Sequence, residues 1–165
     1  MNYYKKFNFT EACRLIKMAL KEDIETGDIT TDSLIPAKNI SIANILLKED
    51  GIISGLKIFK LVFDSLDIKT KIKFFVEDGD KLKKGTVIGE IKGSTRTLLK
   101  GERTALNILQ RMSGISTLTN DFIKRLNNSK IKILDTRKTT PNFRLFEKLA
   151  VKIGGGTNHR TGLYD

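Results

Sequence analysis

Two short segments in the last third of the chain concentrate side chains suited to holding anions. The first, Asp135-Thr136-Arg137-Lys138-Thr139-Thr140-Pro141, follows the strand-like tetrapeptide Ile131-Lys132-Ile133-Leu134 and precedes a helical pattern. Two adjacent cations bracketed by threonine hydroxyls form a cradle for a carboxylate or a phosphate, and in parallel α/β folds the loop after a strand's carboxyl end is where ligands bind. Taken alone, a basic turn facing solvent accounts for the same residues equally well. The second segment is Gly154-Gly155-Gly156-Thr157-Asn158-His159-Arg160-Thr161-Gly162. Its glycines let backbone N–H groups come close to an anion. His159 is the single histidine, and a lone histidine is more often structural than catalytic. Its place beside Arg160 in a polar, glycine-rich stretch, rather than on an apolar face, favours function. A third candidate is Arg103, in Lys100-Gly101-Glu102-Arg103-Thr104; by itself, an arginine at the polar start of a helix simply faces water.

The rest of the chain must supply the frame that positions these residues. Ala12, Leu15, Ile16, Ala19 and Leu20 recur at helical spacing and predict an amphipathic helix over residues 8–23, with Asn8 and Glu11 at capping-box spacing. Cys13 on that helix reads as inert packing. Residues 27–36 are rich in turn formers and end at Pro36, which predicts a loop. A strand over residues 40–48, a turn at Glu49-Asp50-Gly51 and a short helix carrying Leu56, Phe59, Val62, Phe63 and Leu66 follow. Residues 71–76 predict another strand. Residues 77–93, EDGDKLKKGTVIGEIKG, resemble the hairpins of lipoyl and biotinyl carrier domains but lack their exposed lysine flanked by small residues, and read as sandwich scaffolding.

Beyond residue 97 the period changes to helical. Leu98 to Met112 predicts one helix, Ser113-Gly114 a break, Ile115 to Leu126 a second helix, and Asn127-Asn128-Ser129 its end. A short buried strand at Ile131 to Leu134 precedes a helix over residues 142–152, closed by the three glycines. The switch near residue 105 divides the chain into 1–105 and 106–165.

The chain has 165 residues, enough for one domain or for one and the start of another. No apolar run approaches the ~20 residues of a membrane-spanning helix, and the opening MNYYKKFNF lacks a signal-peptide core. One cysteine and one histidine supply neither an internal disulfide nor a zinc spacing, which places the protein in a reducing cytoplasm. The net charge of +11 is concentrated beyond residue 83, where seven of the eight arginines lie. That field calls for an anionic ligand. The basic half has no interleaved aromatics and no recognised nucleic-acid signature, which argues against dedicated nucleic-acid binding.

Three long stretches carry a family resemblance that spacing alone does not supply. LKEDIETGDITTDSLIP, GERTALNILQRMSGISTLT and DTRKTTPNFRLFEKLAVKIGGGTNHRTGLYD together resemble quinolinate phosphoribosyltransferase, the decarboxylating nicotinate-nucleotide pyrophosphorylase family of NAD biosynthesis. The resemblance covers nearly the whole chain. It implies an α+β fold in which an N-terminal α/β sandwich is followed by the first part of an α/β barrel, and a homodimer with shared active sites. It implies further that Arg137, His159 and Arg160 bind quinolinate and that Lys138 faces phosphoribosyl pyrophosphate (PRPP). Arg103 would reach across to the partner's site. Mg2+ is expected to accompany PRPP, with its acidic ligands downstream of residue 165. Family members continue through most of a barrel beyond this point, so the expectation for a chain ending at Asp165 is a truncated product with little or no turnover. A paralogous transferase of molybdenum-associated gene clusters and a non-enzymatic basic binding module are the alternatives.

Overall fold

The computed structural model describes residues 3–128 and 130–165. Helix α1 spans Phe9–Ile24 and begins as the sequence predicts: the Asn8 side chain accepts the Glu11 N–H at 2.9 Å. Only half of the capping box forms, because the Glu11 carboxylate turns to the Arg14 guanidinium at 2.7 Å. Ala12, Leu15, Ile16 and Leu20 bury one stripe of α1 in the core.

Residues 27–36 are not wholly a loop. Asp28 caps a short helix α2, Ile29–Leu34, through the Thr31 N–H at 2.9 Å, and Pro36 stops it two residues after its end. The turn formers that suggested a loop are serving as cap and terminator.

The strands make two small sheets. β1 (Ile40–Leu46), β3 (Lys71–Phe74) and β5 (Val87–Ser94) form an antiparallel sheet in the order β1-β5-β3, while β2 (Gly51–Ile52) pairs with β4 (Lys81–Leu82). The predicted strand over 40–48 ends at Leu46 because its register shifts between Ile45 and Leu46. β4 and β5 belong to different sheets, so residues 77–93 are not one carrier-type hairpin. Ile45, Ile88 and Ile91 point inward, whereas Ile40 and Ile42 of β1 are exposed.

Helix α3, Leu56–Leu66, starts at Gly55, whose φ of 104° admits glycine readily. Asp78 accepts the Gly55 and Leu56 N–H groups at 2.7 and 3.0 Å and the Tyr4 hydroxyl at 2.5 Å, so one carboxylate ties the N-terminal segment to the start of α3. Burial pushes the Asp78 carboxyl above its ordinary range against the pull of these donors, and burial beside Asp78 pushes the Tyr4 phenol up as well.

Helix α4 runs unbroken from Thr95 to Leu126, through the break expected at Ser113-Gly114 and through residues 105 and 106. Met112, Ser116 and Thr119 continue the buried face begun by Leu98, Ala105, Ile108 and Leu109. A glycine inside a helix costs only about 1 kcal/mol relative to alanine, less than breaking that face would. Ser113 also stays helical, its hydroxyl accepting the Ser54 N–H at 3.1 Å. Asn127 ends α4 in the left-handed conformation; Ser129, expected to help close it, lies outside the described residues.

The strand expected at Ile131 to Leu134 is reduced to a parallel bridge between Leu134 and Thr157. Its hydrogen bonds run from the Asp135 N–H to the Thr157 carbonyl (3.0 Å) and from the Thr157 N–H to the Ile133 carbonyl (2.8 Å). The tetrapeptide has a neighbour on one side, and Ile131 and Leu134 are half exposed rather than buried between layers. Helix α5 spans Arg144–Ile153 and packs Phe146, Leu149, Ala150 and Ile153 inward.

Candidate functional site

The Leu134–Thr157 bridge sets the two basic segments side by side, and a buried carboxylate fixes them there. Asp135 Oδ1 accepts the Lys148 Nζ at 2.6 Å and the His159 N–H at 2.7 Å, while its Oδ2 accepts the Asn158 Nδ2 at 2.5 Å. Lys148 Nζ donates in turn to the His159 carbonyl at 3.0 Å, and Asn158 Nδ2 to the Lys148 carbonyl at 2.8 Å. The Lys148 and Asp135 side chains are only 7% and 3% exposed. Burial of two charges is tolerated when each is paired and hydrogen-bonded, as here.

Two further clamps hold the first loop. Arg144, on the opening turn of α5, donates to the Thr139 hydroxyl (3.0 Å), the Arg137 carbonyl (3.1 Å) and the Thr161 carbonyl (3.0 Å). One guanidinium thus spans both segments. Arg111 of α4 reaches the Glu147 carboxylate at 2.8 Å through Nε and the Thr140 hydroxyl at 2.5 Å through Nη2, while Glu147 accepts the Thr140 N–H at 3.3 Å. Asp165 accepts the Thr161 and Gly162 N–H groups and the Thr161 hydroxyl, and these donors, the Thr161 hydroxyl first, hold its carboxyl down at about 2.

Within this frame the sequence candidates have a common property. Arg137 is half-buried, and Lys138, His159 and Arg160 are exposed. The backbones of Arg137, Lys138 and His159 are held, yet among the described residues none of the four side chains has a hydrogen-bond or ion-pair partner within the chain. Three uncommitted cations beside an uncommitted imidazole make an arrangement suited to an anion carrying several charges. It holds no paired nucleophile and base, so what it can do chemically is bind, orient and stabilise charge.

Arg103 stands apart from this group. It is exposed on α4, about 12 Å along the helix axis from Arg111. No hydrogen bond joins it to either loop among the described residues. A separate cleft of about 540 Å3 opens between the β1–β2 region and α4, lined by Leu46, Ile52, Leu106, Gln110, Gly114 and Leu118; it contains none of the candidate cations.

Sequence reasoning missed the residues that do the holding: Asp135, Lys148, Asn158, Arg144, Arg111 and Glu147. One signal was available. Lys148 falls beside Leu145 and Leu149 on the apolar stripe of α5, and a lysine there requires a buried acid. Among the described residues, no group of three or more His, Cys, Asp or Glu side chains could hold a metal ion, and no helix is long and apolar enough to cross a membrane.

Known proteins resemble this chain along nearly its whole length. The family model described as quinolinate phosphoribosyl transferase, N-terminal domain, matches residues 28–113, and that described as the C-terminal domain of the same enzyme matches residues 115–165. The chain is 45% identical over 158 residues to a Bacillus subtilis protein named probable nicotinate-nucleotide pyrophosphorylase (carboxylating), covering 96% of this chain and 54% of that one. It is 44% identical over 152 residues to a Nicotiana tabacum protein named quinolinate phosphoribosyltransferase (decarboxylating) 2b, mitochondrial, covering 92% and 43%. The crystal structure of NadC from Streptococcus pyogenes superposes with a TM-score of 0.94 at 40% identity over 98% of this chain and 57% of that one. The nicotinate-nucleotide pyrophosphorylase of Francisella tularensis gives 0.90 at 40% identity, over 97% and 57%. The chain spans about half the length of the curated relatives it matches. Its fold is an N-terminal sheet domain followed by the beginning of a barrel.

Proposed function

Because the chain belongs to the quinolinate phosphoribosyltransferase family, we propose that it contributes to phosphoribosyl transfer from PRPP to quinolinate with decarboxylation, giving nicotinate mononucleotide, pyrophosphate and CO2 in NAD biosynthesis. The observation that carries the reading is the set of four uncommitted side chains, the cations Arg137, Lys138 and Arg160 and the imidazole of His159, on two loops locked by Asp135. Quinolinate bears two adjacent carboxylates. Arg137, Arg160 and His159 would hold this dianion, and Lys138 would face the phosphates of PRPP. The relatives described above are named for quinolinate or for nicotinate nucleotide, which supports this reading over the molybdenum-associated paralogue.

Held in this way, the pyridine nitrogen attacks the anomeric carbon of the ribose as pyrophosphate departs. The cations contribute by orienting the acid and by stabilising leaving-group charge. Once the ring nitrogen is quaternary, loss of CO2 from the neighbouring carbon leaves a carbanion stabilised by the adjacent positive charge, and a proton from water takes the place of the lost carboxylate to complete nicotinate mononucleotide. The residues present do not fit a magnesium site: no acidic cluster converges among the described residues, and Asp135 is occupied by its own donors. Magnesium enters this proposal as the counter-ion that PRPP carries.

Arg103 is proposed to serve the site of a second copy, in a homodimer of the cytoplasm with no role in binding nucleic acid. Its exposure, its separation from the loops and the exposed Leu99, Leu118 and Phe122 on the same helix support that arrangement. Titration with quinolinate tests the function. Saturable binding that is lost in Arg137→Ala supports it; tight, steeply salt-dependent binding to arbitrary oligonucleotides with no quinolinate response overturns it.

A further inference from the structure

The best-buried charges near the candidate site belong to residues that offer no side-chain atom to a ligand. Asp135 and Lys148 grip His159 from both sides of its peptide frame: the carboxylate accepts its N–H at 2.7 Å and the ammonium donates to its carbonyl at 3.0 Å. Asn158, the preceding residue, is pinned to the same carboxylate and to the Lys148 carbonyl. The imidazole of His159 and the guanidinium of Arg160 are left exposed.

We propose that Asp135 and Lys148 are positioning residues for anion binding, acting through the backbone of residues 158 and 159 to aim the His159 and Arg160 side chains. The pair is electrically neutral as a unit, so its effect on an anionic ligand is geometric. That gives the inference a sign opposite to simple electrostatics. A carboxylate near an anion site repels the ligand, and neutralising it in Asp135→Asn would tighten binding by charge alone. A positioning carboxylate gives the reverse: the amide takes away the counter-charge of Lys148 and replaces one acceptor oxygen with an NH2 group that cannot accept from the Asn158 amide, the loop loses its fixed geometry, and binding weakens.

The inference rests on the quinolinate reading only for its probe, and two independent measurements keep them separable. Quinolinate and inorganic pyrophosphate are titrated at fixed ionic strength into the 165-residue chain and into Asp135→Asn, Lys148→Met and Asn158→Ala. His159 is followed by NMR, where the single histidine gives one set of ring signals. The expected result is binding weakened about tenfold or more in the two buried-pair variants, and less in Asn158→Ala. The His159 amide and ring signals shift in all three. The double variant Asp135→Asn with Lys148→Met, whose net charge equals that of the parent, stays weak. Unchanged or tighter binding in Asp135→Asn, or His159 signals that do not move in any variant, overturns the proposal. Should the parent chain bind neither probe while the His159 signals still shift in the variants, the functional reading fails and the positioning of His159 stands. Asn158 is on the surface, so its variant keeps the test informative if a buried substitution prevents folding.

Discussion

Gly154, at the end of α5, lies directly against the backbone of Ser116 in the middle of α4, so close that a Cβ on Gly154 would overlap the Ser116 carbonyl oxygen. The Ser116 hydroxyl completes the crossing by donating to the Ala150 carbonyl at 2.7 Å. Gly154→Ala is therefore expected to push α5 away from α4 and to destabilise the fold by about 1–3 kcal/mol, the usual cost of overpacking. Urea unfolding checks this, and an unchanged midpoint would show that the crossing is not tight.

Gly114, forty residues earlier, is the opposite case. It sits inside α4 with no atom from outside its own stretch of helix within 4 Å of where its Cβ would be. Gly114→Ala is expected to stabilise the isolated chain by about 0.5–1 kcal/mol, through helix propensity alone. A loss of stability in the same unfolding experiment would contradict the open space seen there.

Arg144 holds three acceptors with one planar group, and lysine cannot reproduce that fork. Arg144→Lys is expected to speed amide hydrogen exchange at Thr139 and Thr161 while leaving the β1–β5 pairing protected. Equal protection in parent and variant would remove Arg144 from the account of how the loops are held.

The Asp165 carboxyl titrates at about 2 in the folded chain, below its ordinary 3.8, because Thr161 and Gly162 donate to it. A depressed carboxyl contributes its stabilisation fully above the unfolded value and loses it as pH falls through the folded one. The 161–165 turn should therefore stay closed at pH 5 and open progressively between about pH 4 and 2. An NMR titration of the Asp165 side-chain carbon with a midpoint near 4 would refute this.

If Arg103 serves a second copy, Arg103→Ala and Arg137→Ala should each abolish quinolinate binding at a composite site. Mixing the two variants should then restore it, because a hybrid dimer has one site that lacks neither arginine. No recovery on mixing, after exchange of subunits has been verified by native mass spectrometry, would confine Arg103 to its own chain.

Much of this was readable from residue order, for reasons that differ between elements. α1 was legible because its apolar stripe and Asn8 cap are local features. The candidate loops stood out because Arg137, Lys138, His159 and Arg160 lie in two short polar runs. The continuity of α4 was hidden, since Ser113-Gly114 carries a strong local stop signal and only the long-range face formed with α3 and α5 overrides it. The clamp residues were hidden for a related reason. Asp135 meets Lys148 thirteen residues away and Arg111 meets Glu147 across thirty-six, distances at which spacing in the sequence says nothing about contact.

The unbroken α4 fixes more than packing. Arg96 grips α2 through the Ile35 and Asp32 carbonyls, Arg103 faces outward and Arg111 holds the Thr140 turn, all on one rod. At 100° per residue, the eight steps from Arg103 to Arg111 leave the two roughly 80° apart around the axis. Inserting a single residue between them would add about 100° and set the two on opposite sides of the helix, so the spacing along this helix works like the cut of a key.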